Sequence, residues 1–462
     1  MNRFAHLLSV QLHRFACSRL SASGRAQFRA STVVLSAVSL LGLAAAGRVI
    51  AAEGPLTLAE AQRLATQRSK QLEASDLALS ATKDLAIAAA ERPDPIGKIG
   101  LENLPINGPD QFSVQRDFMT MRSVGIMQEI TRPTKLRART AEAEQAVRLA
   151  DAQKAQALVE IQRDTALAWL DRYYAEAQEQ TVLQQVDVAR LDVAAADAGY
   201  RGGHGTAADV LAARAALAEA EDLDIDATRV VRGAKLALGR WVGEAAERPL
   251  AGQPAIDSIP LHRHGLDSQL AEHPEIVALE RREELARAGA EVARADRHPD
   301  WSVEFIYSQR GTAYSNMVTL ELTVPLEIRR AYRQDAKLAA KLAEASQAKA
   351  EREEMLRAHA AEISTLIDAW DSARERREHY RTSIVPLAAD RVVATRAAYR
   401  GGKASLTDLL LAQRAEIDAR LKALQLEESA ARLWAQLTFL NSTPAVVDVS
   451  TASIRSDRGE LP

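Results

Sequence analysis

Two hydrophobic periods alternate along this chain. From Thr134 to Ala198 and from Tyr332 to Ala398 no glycine intervenes and Pro386 alone interrupts, which predicts two long helices. Sixty-five helical residues rise roughly 100 Å, more than one globular core covers. Such helices must pack along one another, and the many alanines suit close contact. Heptad matching is imperfect, which argues against a two-stranded coiled coil.

Upstream of each long helix the period falls to two. In Trp301-Ser-Val-Glu-Phe-Ile-Tyr307 the residues Trp301, Val303, Phe305 and Tyr307 share one face, with Ser302 and Glu304 on the other. Val318-Thr-Leu-Glu-Leu-Thr-Val324 alternates without exception, placing Val318, Leu320, Leu322 and Val324 together. The loop Gln309 to Ser315 joins the two runs as a hairpin. A weaker copy spans Ile96 to Leu104 and Ser123 to Ile130, across a longer loop through Asn107-Gly-Pro109.

The strongest internal repeat is Tyr200-Arg-Gly-Gly-His-Gly-Thr-Ala-Ala-Asp-Val-Leu211 against Tyr399-Arg-Gly-Gly-Lys-Ala-Ser-Leu-Thr-Asp-Leu-Leu410, at an offset of 199 residues. Each copy reads as a helix-to-helix turn. The pairs Gly202-Gly203 and Gly401-Gly402 can take the left-handed conformation that ends a helix. Thr206 and Ser405 stand three residues before Asp209 and Asp408, the spacing of a capping box.

The chain therefore reads as mainly α with a small β part, in two tandem repeats of helix, hairpin, long helix, Gly-Gly turn and helix. The expected divisions are a presequence at 1–52, a first repeat at 53–242, a linker at 243–265 with Pro249, Pro254 and Pro260, a second repeat at 266–440 and a polar tail at 441–462. Thr57-Leu-Ala-Glu60 caps the first helix.

Composition narrows the class. Hydrophobic residues are 47% but aromatics only 4%, which favours long helices over a compact enzyme core. The first 52 residues hold six arginines, no acid and the apolar run Ser31 to Ala46. This is the pattern of a signal peptide cleaved near Ala46 or Ala52; the run is short for a membrane anchor, the alternative. Cys17, the single cysteine, precedes the run and is not placed for lipid attachment. Cleavage takes the net charge from −3 to −9, which disfavours a nucleic-acid partner.

After residue 52 no run is apolar for long enough to be a transmembrane helix, so a membrane-spanning form must be a β-barrel. Four strands cannot close one. The smallest spanning barrels have eight strands, so two, three or four chains must combine, and an eight-strand interior is filled by side chains. Three or more chains favour an open duct. The alternative is a soluble periplasmic protein carrying two hairpins, which are marginal in water on their own.

These residues resemble the TolC family of outer-membrane efflux proteins, over about Leu56 to Leu440. The duplicated Gly-Gly turns and paired hairpins are the most specific features. The resemblance implies a homotrimer with a shared 12-stranded barrel in outer-membrane lipid and an α-barrel crossing the periplasm. It also implies a periplasmic adaptor and an inner-membrane pump, of the resistance-nodulation-division type, as partners. Tyr200, Gly202, Gly203, Thr206, Tyr399, Gly401, Gly402 and Ser405 match the periplasmic tip, where adaptor and opening act. Some members narrow the tip with aspartate rings. Asp408 matches the first ring position, while Leu411 occupies the second, so Asp209 and Asp408 stand as gate or helix cap. Leu101-Glu-Asn-Leu-Pro105 and Gln128-Glu-Ile-Thr-Arg-Pro133 resemble the heavy-metal branch, the CzcC and CusC type; drug efflux and type I secretion are the alternatives, with a periplasmic adaptor or spacer behind them.

The sequence offers no catalytic constellation and no cofactor motif. His262-Arg-His264 is a possible pinch for a cation without a third ligand nearby. His204 and Lys403, at equivalent tip positions, read as solvated residues, and the remaining histidines are scattered.

Overall fold

The computed structural model describes residues 54–252, 254–260 and 270–440. The expected presequence and tail, and His262 and His264, lie outside these residues. In order the elements are α1 (Leu58–Arg68), α2 (Lys70–Ala90), β1 (Ile96–Glu102), β2 (Met121–Ile130), α3 (Pro133–Arg201), α4 (Ala207–Val242), α5 (Pro274–Ala295), β3 (Trp301–Gln309), β4 (Met317–Thr323), α6 (Gln334–His379), α7 (Val385–Arg400) and α8 (Leu406–Thr438).

The first long helix, α3, runs unbroken for 69 residues, about 100 Å at 1.5 Å per residue. Pro133 opens it, where a missing N–H is harmless. Its counterpart is divided: a π-helical segment at Tyr380–Ile384 separates α6 from α7. Pro386 sits in the first turn of α7, so the π turn absorbs the hydrogen bond that the proline cannot make. The partner helices are shorter, with 21 and 36 residues in the first repeat and 22 and 33 in the second, and lie beside them. One half of α3 contacts α2 and α5, the other α4 and α8; α6 contacts α5 and α8, and α7 contacts α8.

Two breaks differ from the sequence pattern. Thr57 caps α1 as expected, accepting from the Glu60 N–H at 3.2 Å. Ser69 then ends α1 and caps α2, accepting from the Leu72 N–H at 3.2 Å. The segment after α4 is irregular but packed. It begins with a 3-10 turn at Gly243–Glu247, and Leu250 pairs with Leu56 in a parallel bridge. Arg172, 2% exposed, holds this segment by donating to the Ala246 carbonyl at 2.6 Å and the Arg248 carbonyl at 2.8 Å. Around it lies the main core: Trp169, Leu170, Tyr174, Leu238, Ile363, Trp370 and Trp434, with Ala246 and Ile256 from the segment itself.

The strands form one antiparallel sheet in the order β1-β2-β3-β4. The two hairpins are thus joined by β2 and β3, which pair from Arg122↔Gln309 to Ile130↔Trp301. Strand ends moved from the sequence expectation. β1 stops at Glu102 because Asn103 takes φ +53°. Val324, expected as a strand residue, lies one position beyond β4; Pro325 follows it and cannot donate to a ladder.

Candidate functional site: a one-faced sheet and two helix tips

The register sorts the sheet into two unlike faces, since directly paired residues point the same way. One face carries Ile99, Val124, Tyr307 and Val318 in one row. The next rows on that face carry Ile126, Phe305 and Leu320, then Val303 and Leu322 beside Gln128. The expected set Trp301, Val303, Phe305, Tyr307, Val318, Leu320 and Leu322 therefore lies on one surface. That surface is bare in the single chain: Ile99 is 90% exposed and Leu320 73%. Trp301 and Tyr307 sit near opposite ends of β3, the placement of aromatic residues at the two borders of a bilayer.

The other face is mainly polar, with Met127 and Ile306 set among its polar residues. Lys98, Glu304 and Glu321 occupy one region of it, with Ser123, Ser308 and Thr319 nearby. Glu304 is buried and ion-paired with Lys98, two strands away. Apolar on one side, polar on the other, and 9 or 10 residues long in the central strands, the sheet has the make-up of a transmembrane barrel segment. Among the described residues the two outer strands, β1 and β4, each have one unpaired edge, where neighbouring copies can add. No described helix is long and apolar enough to cross a membrane.

At the far end of the long helices the repeated turns share the same pair of closing hydrogen bonds. The His204 N–H donates to the Gly199 carbonyl at 2.9 Å and the Gly203 N–H to the Tyr200 carbonyl at 3.1 Å. At the same offset Lys403 donates to Ala398 at 2.8 Å and Gly402 to Tyr399 at 3.0 Å. This pair of bonds is the Schellman motif, which needs a left-handed residue after the cap. Gly203 at φ +74° and Gly402 at φ +68° supply it. Gly202 and Gly401 are right-handed, at φ −81° and −85°, so only the second glycine of each pair needs to be glycine for its φ.

Both capping boxes form. The Thr206 N–H donates to Asp209 at 2.8 Å while the Asp209 N–H donates to the Thr206 hydroxyl at 3.2 Å. Ser405 and Asp408 repeat this at 2.9 and 3.1 Å. The hydroxyl and backbone bonds from Thr206 hold the Asp209 carboxyl below its ordinary pKa. Those from Ser405 do the same for Asp408.

The two turns share a small core of Ala196, Val210, Ala213, Val392, Leu406, Leu409 and Ala412. Tyr399 packs against it, whereas Tyr200 stays 52% exposed; equivalent in sequence, the two tyrosines differ in surroundings. Leu411, in place of a second acid, is 61% exposed. Behind the turns a cleft of about 180 Å³ is lined by Gln185, Asp192, Glu219, Thr407, Gln413 and Arg414 among apolar residues. Burial raises the pKa of the Asp192 carboxyl. Nothing in the sequence pattern marked Asp192, because its burial depends on the packing of α3 against α8, far apart in the chain.

Residues 114–244 and 265–441 match the family described as outer membrane efflux protein. No curated protein sequence matches at a significant level. Among solved structures, the outer membrane protein VceC of Vibrio cholerae shares 20% identity at a TM-score of 0.68, over 83% of this chain and 96% of its own. CusC shares 16% at 0.72, over 83% and 92%. The outer-membrane channel OprN shares 18% at 0.71, over 83% and 90%. At these identities the likeness is one of fold.

Proposed function

The chain belongs to the outer membrane efflux protein family, and from that premise we propose that it is a passive exit duct, a homotrimer spanning the outer membrane and reaching into the periplasm. The observation that carries this reading is the sheet: one mainly apolar face on four strands, with both edges open among the described residues. Lipid covers that face, and three copies supply 12 strands to close a barrel wide enough to conduct. CusC is described as undergoing conformational changes that accompany folding and transmembrane channel formation, which supports the same use of the sheet.

Below the barrel the long helices of three copies continue the wall. Transport along it breaks no covalent bond, so the chain carries no catalytic step and no cofactor. The energy comes from an inner-membrane pump, of the resistance-nodulation-division type, reached through a periplasmic adaptor. The adaptor meets the tips at Tyr200, Gly202, Gly203, Thr206 and their counterparts Tyr399, Gly401, Gly402 and Ser405. Asp209 and Asp408 cap the tip helices and bring negative charge to the mouth of the duct.

The cargo we propose is heavy-metal cations, on the resemblance of Leu101 to Pro105 and Gln128 to Pro133 to the metal branch. The test is a deletion strain complemented with the wild-type gene. Restored growth on Zn²⁺, Co²⁺ or Cu²⁺ salts supports metal efflux. Restored resistance to drugs or restored protein secretion, with metals unaffected, removes that cargo and leaves the duct.

A further inference from the structure

Where the start of α5 meets α6, away from both sheet and tips, three donors converge. His273 occupies the N-cap position of α5 without a side-chain capping bond, Glu275 lies in its first turn and His359 projects from α6. One ligand atom from each lies within 4.8 Å of the others. The His359 Nε2 is 2.8 Å from a Glu275 oxygen, and the rings of His273 and His359 have centroids 5.0 Å apart. Both histidines are buried, at 8% and 9% exposure. Among the described residues the His273 Nδ1 is enclosed without a hydrogen-bond partner, and such a buried, unpaired polar atom calls for an explanation.

We propose that His273, Glu275 and His359 bind one divalent late first-row transition-metal ion, Zn²⁺ or a close neighbour, which clamps the start of α5 to α6. Two imidazoles and one carboxylate are a ligand set of that class, while Mg²⁺ and Ca²⁺ ask for oxygen alone. Tetrahedral binding at 2.0–2.1 Å from the ion sets ligand atoms about 3.3 Å apart. Glu275 and His359 open slightly and His273 turns inward, the ion taking the place of the hydrogen that the first two now share.

The surroundings suit a cation. Glu362 lies 3.5 Å from the His359 Nδ1, the position of the outer carboxylate that orients a metal-bound histidine. Arg163, the positive charge facing His273 from α3, is paired with Asp164 at 2.9 Å. Glu275 is only half-buried, leaving room for water as fourth ligand. The site stands apart from the cargo, since a duct for any substrate can carry such a clamp.

The experiment uses full-length, tag-free protein in detergent, stripped with chelator and titrated with Zn²⁺ against a chromogenic competitor, with melting recorded with and without the metal. The expected result is one Zn²⁺ per chain and a rise in melting temperature. H273A, H359A and E275Q should each weaken binding by at least roughly 100-fold, and E362Q by about 10-fold. H204A, at the exposed tip, should bind as wild type. E275Q keeps the hydrogen bond to His359 and so decides the matter where a histidine variant does not assemble. Zn²⁺ binding that is equal in wild type and E275Q, or that is lost in H204A, overturns the proposal.

Discussion

The Lys135 ammonium lies 2.7 Å from the Asp300 carboxylate, joining the first turn of α3 to the residue before β3. It also reaches Asp296 at 2.9 Å, and Asp300 accepts the Arg132 N–H at 3.1 Å. One small network thus ties the start of a helix of the first repeat to the start of a strand of the second. The Asp300 side chain is only 7% exposed, so its partners matter. Lys135→Met strands a buried carboxylate and should cost about 2–3 kcal/mol. Asp300→Asn keeps an acceptor for Arg132 and leaves Lys135 with Asp296, so it should cost less. Urea unfolding of the two variants in detergent gives the order.

The tip glycines should separate by position. A Cβ at either Gly402 or Gly401 meets no atom closer than 3.5 Å, so space does not distinguish them. Conformation does, because Gly402 is left-handed and Gly401 is not. Gly402→Val should strain the turn by about 1–3 kcal/mol and impair adaptor docking, while Gly401→Ala should be nearly silent. Adaptor pull-down and resistance at matched expression read both. Equal behaviour of the two variants would contradict the assignment.

Cap and gate can be told apart at Asp408. Asn in its place still accepts the Ser405 N–H but removes the charge; Ala removes both. If the charge constricts the mouth, D408N and D408A should both change single-channel conductance and ion selectivity. If Asp408 only caps, D408A alone should loosen the start of α8 in hydrogen exchange, with conductance unaltered. The pH response has a definite sign. Because the folded pKa is lowered, the bonded carboxylate stabilises the turn above the ordinary carboxylate pKa. That contribution fades only as pH falls through the lower folded value. Tip protection should therefore be level from pH 7 to about 5 and drop below about 4.

Much of this was legible because local chemistry decides it. The Gly-Gly turns, the capping boxes and the alternation of β3 need only neighbours in sequence, and the residues at each position already favour one geometry. What escaped depends on contacts across the fold. The β2–β3 pairing that merges two hairpins into one sheet links residues 122–130 with 301–309, which no local pattern encodes. Arg172 looks like any charged helix residue until the segment after α4 supplies carbonyls for its guanidinium. His359 stands more than 80 residues from His273 and Glu275, so a scan for neighbouring histidines passes over them. The π turn at Tyr380–Ile384 was foreshadowed by Pro386, but its form was not.

The two faces of the sheet give a paired prediction. Leu320→Arg puts a charge on the apolar face and should cost about 2–4 kcal/mol near the bilayer midplane, blocking insertion. Thr319→Arg, one residue away on the polar face, should insert normally and shift conductance toward anions. Heat-modified mobility on gels and conductance in planar bilayers read the pair.

The central claim is that three copies share one barrel. Native mass spectrometry of the purified protein released from detergent tests it most directly. The prediction is a complex of three chains that forms conducting pores when returned to a bilayer. A monomer that stays in aqueous solution without detergent would contradict it.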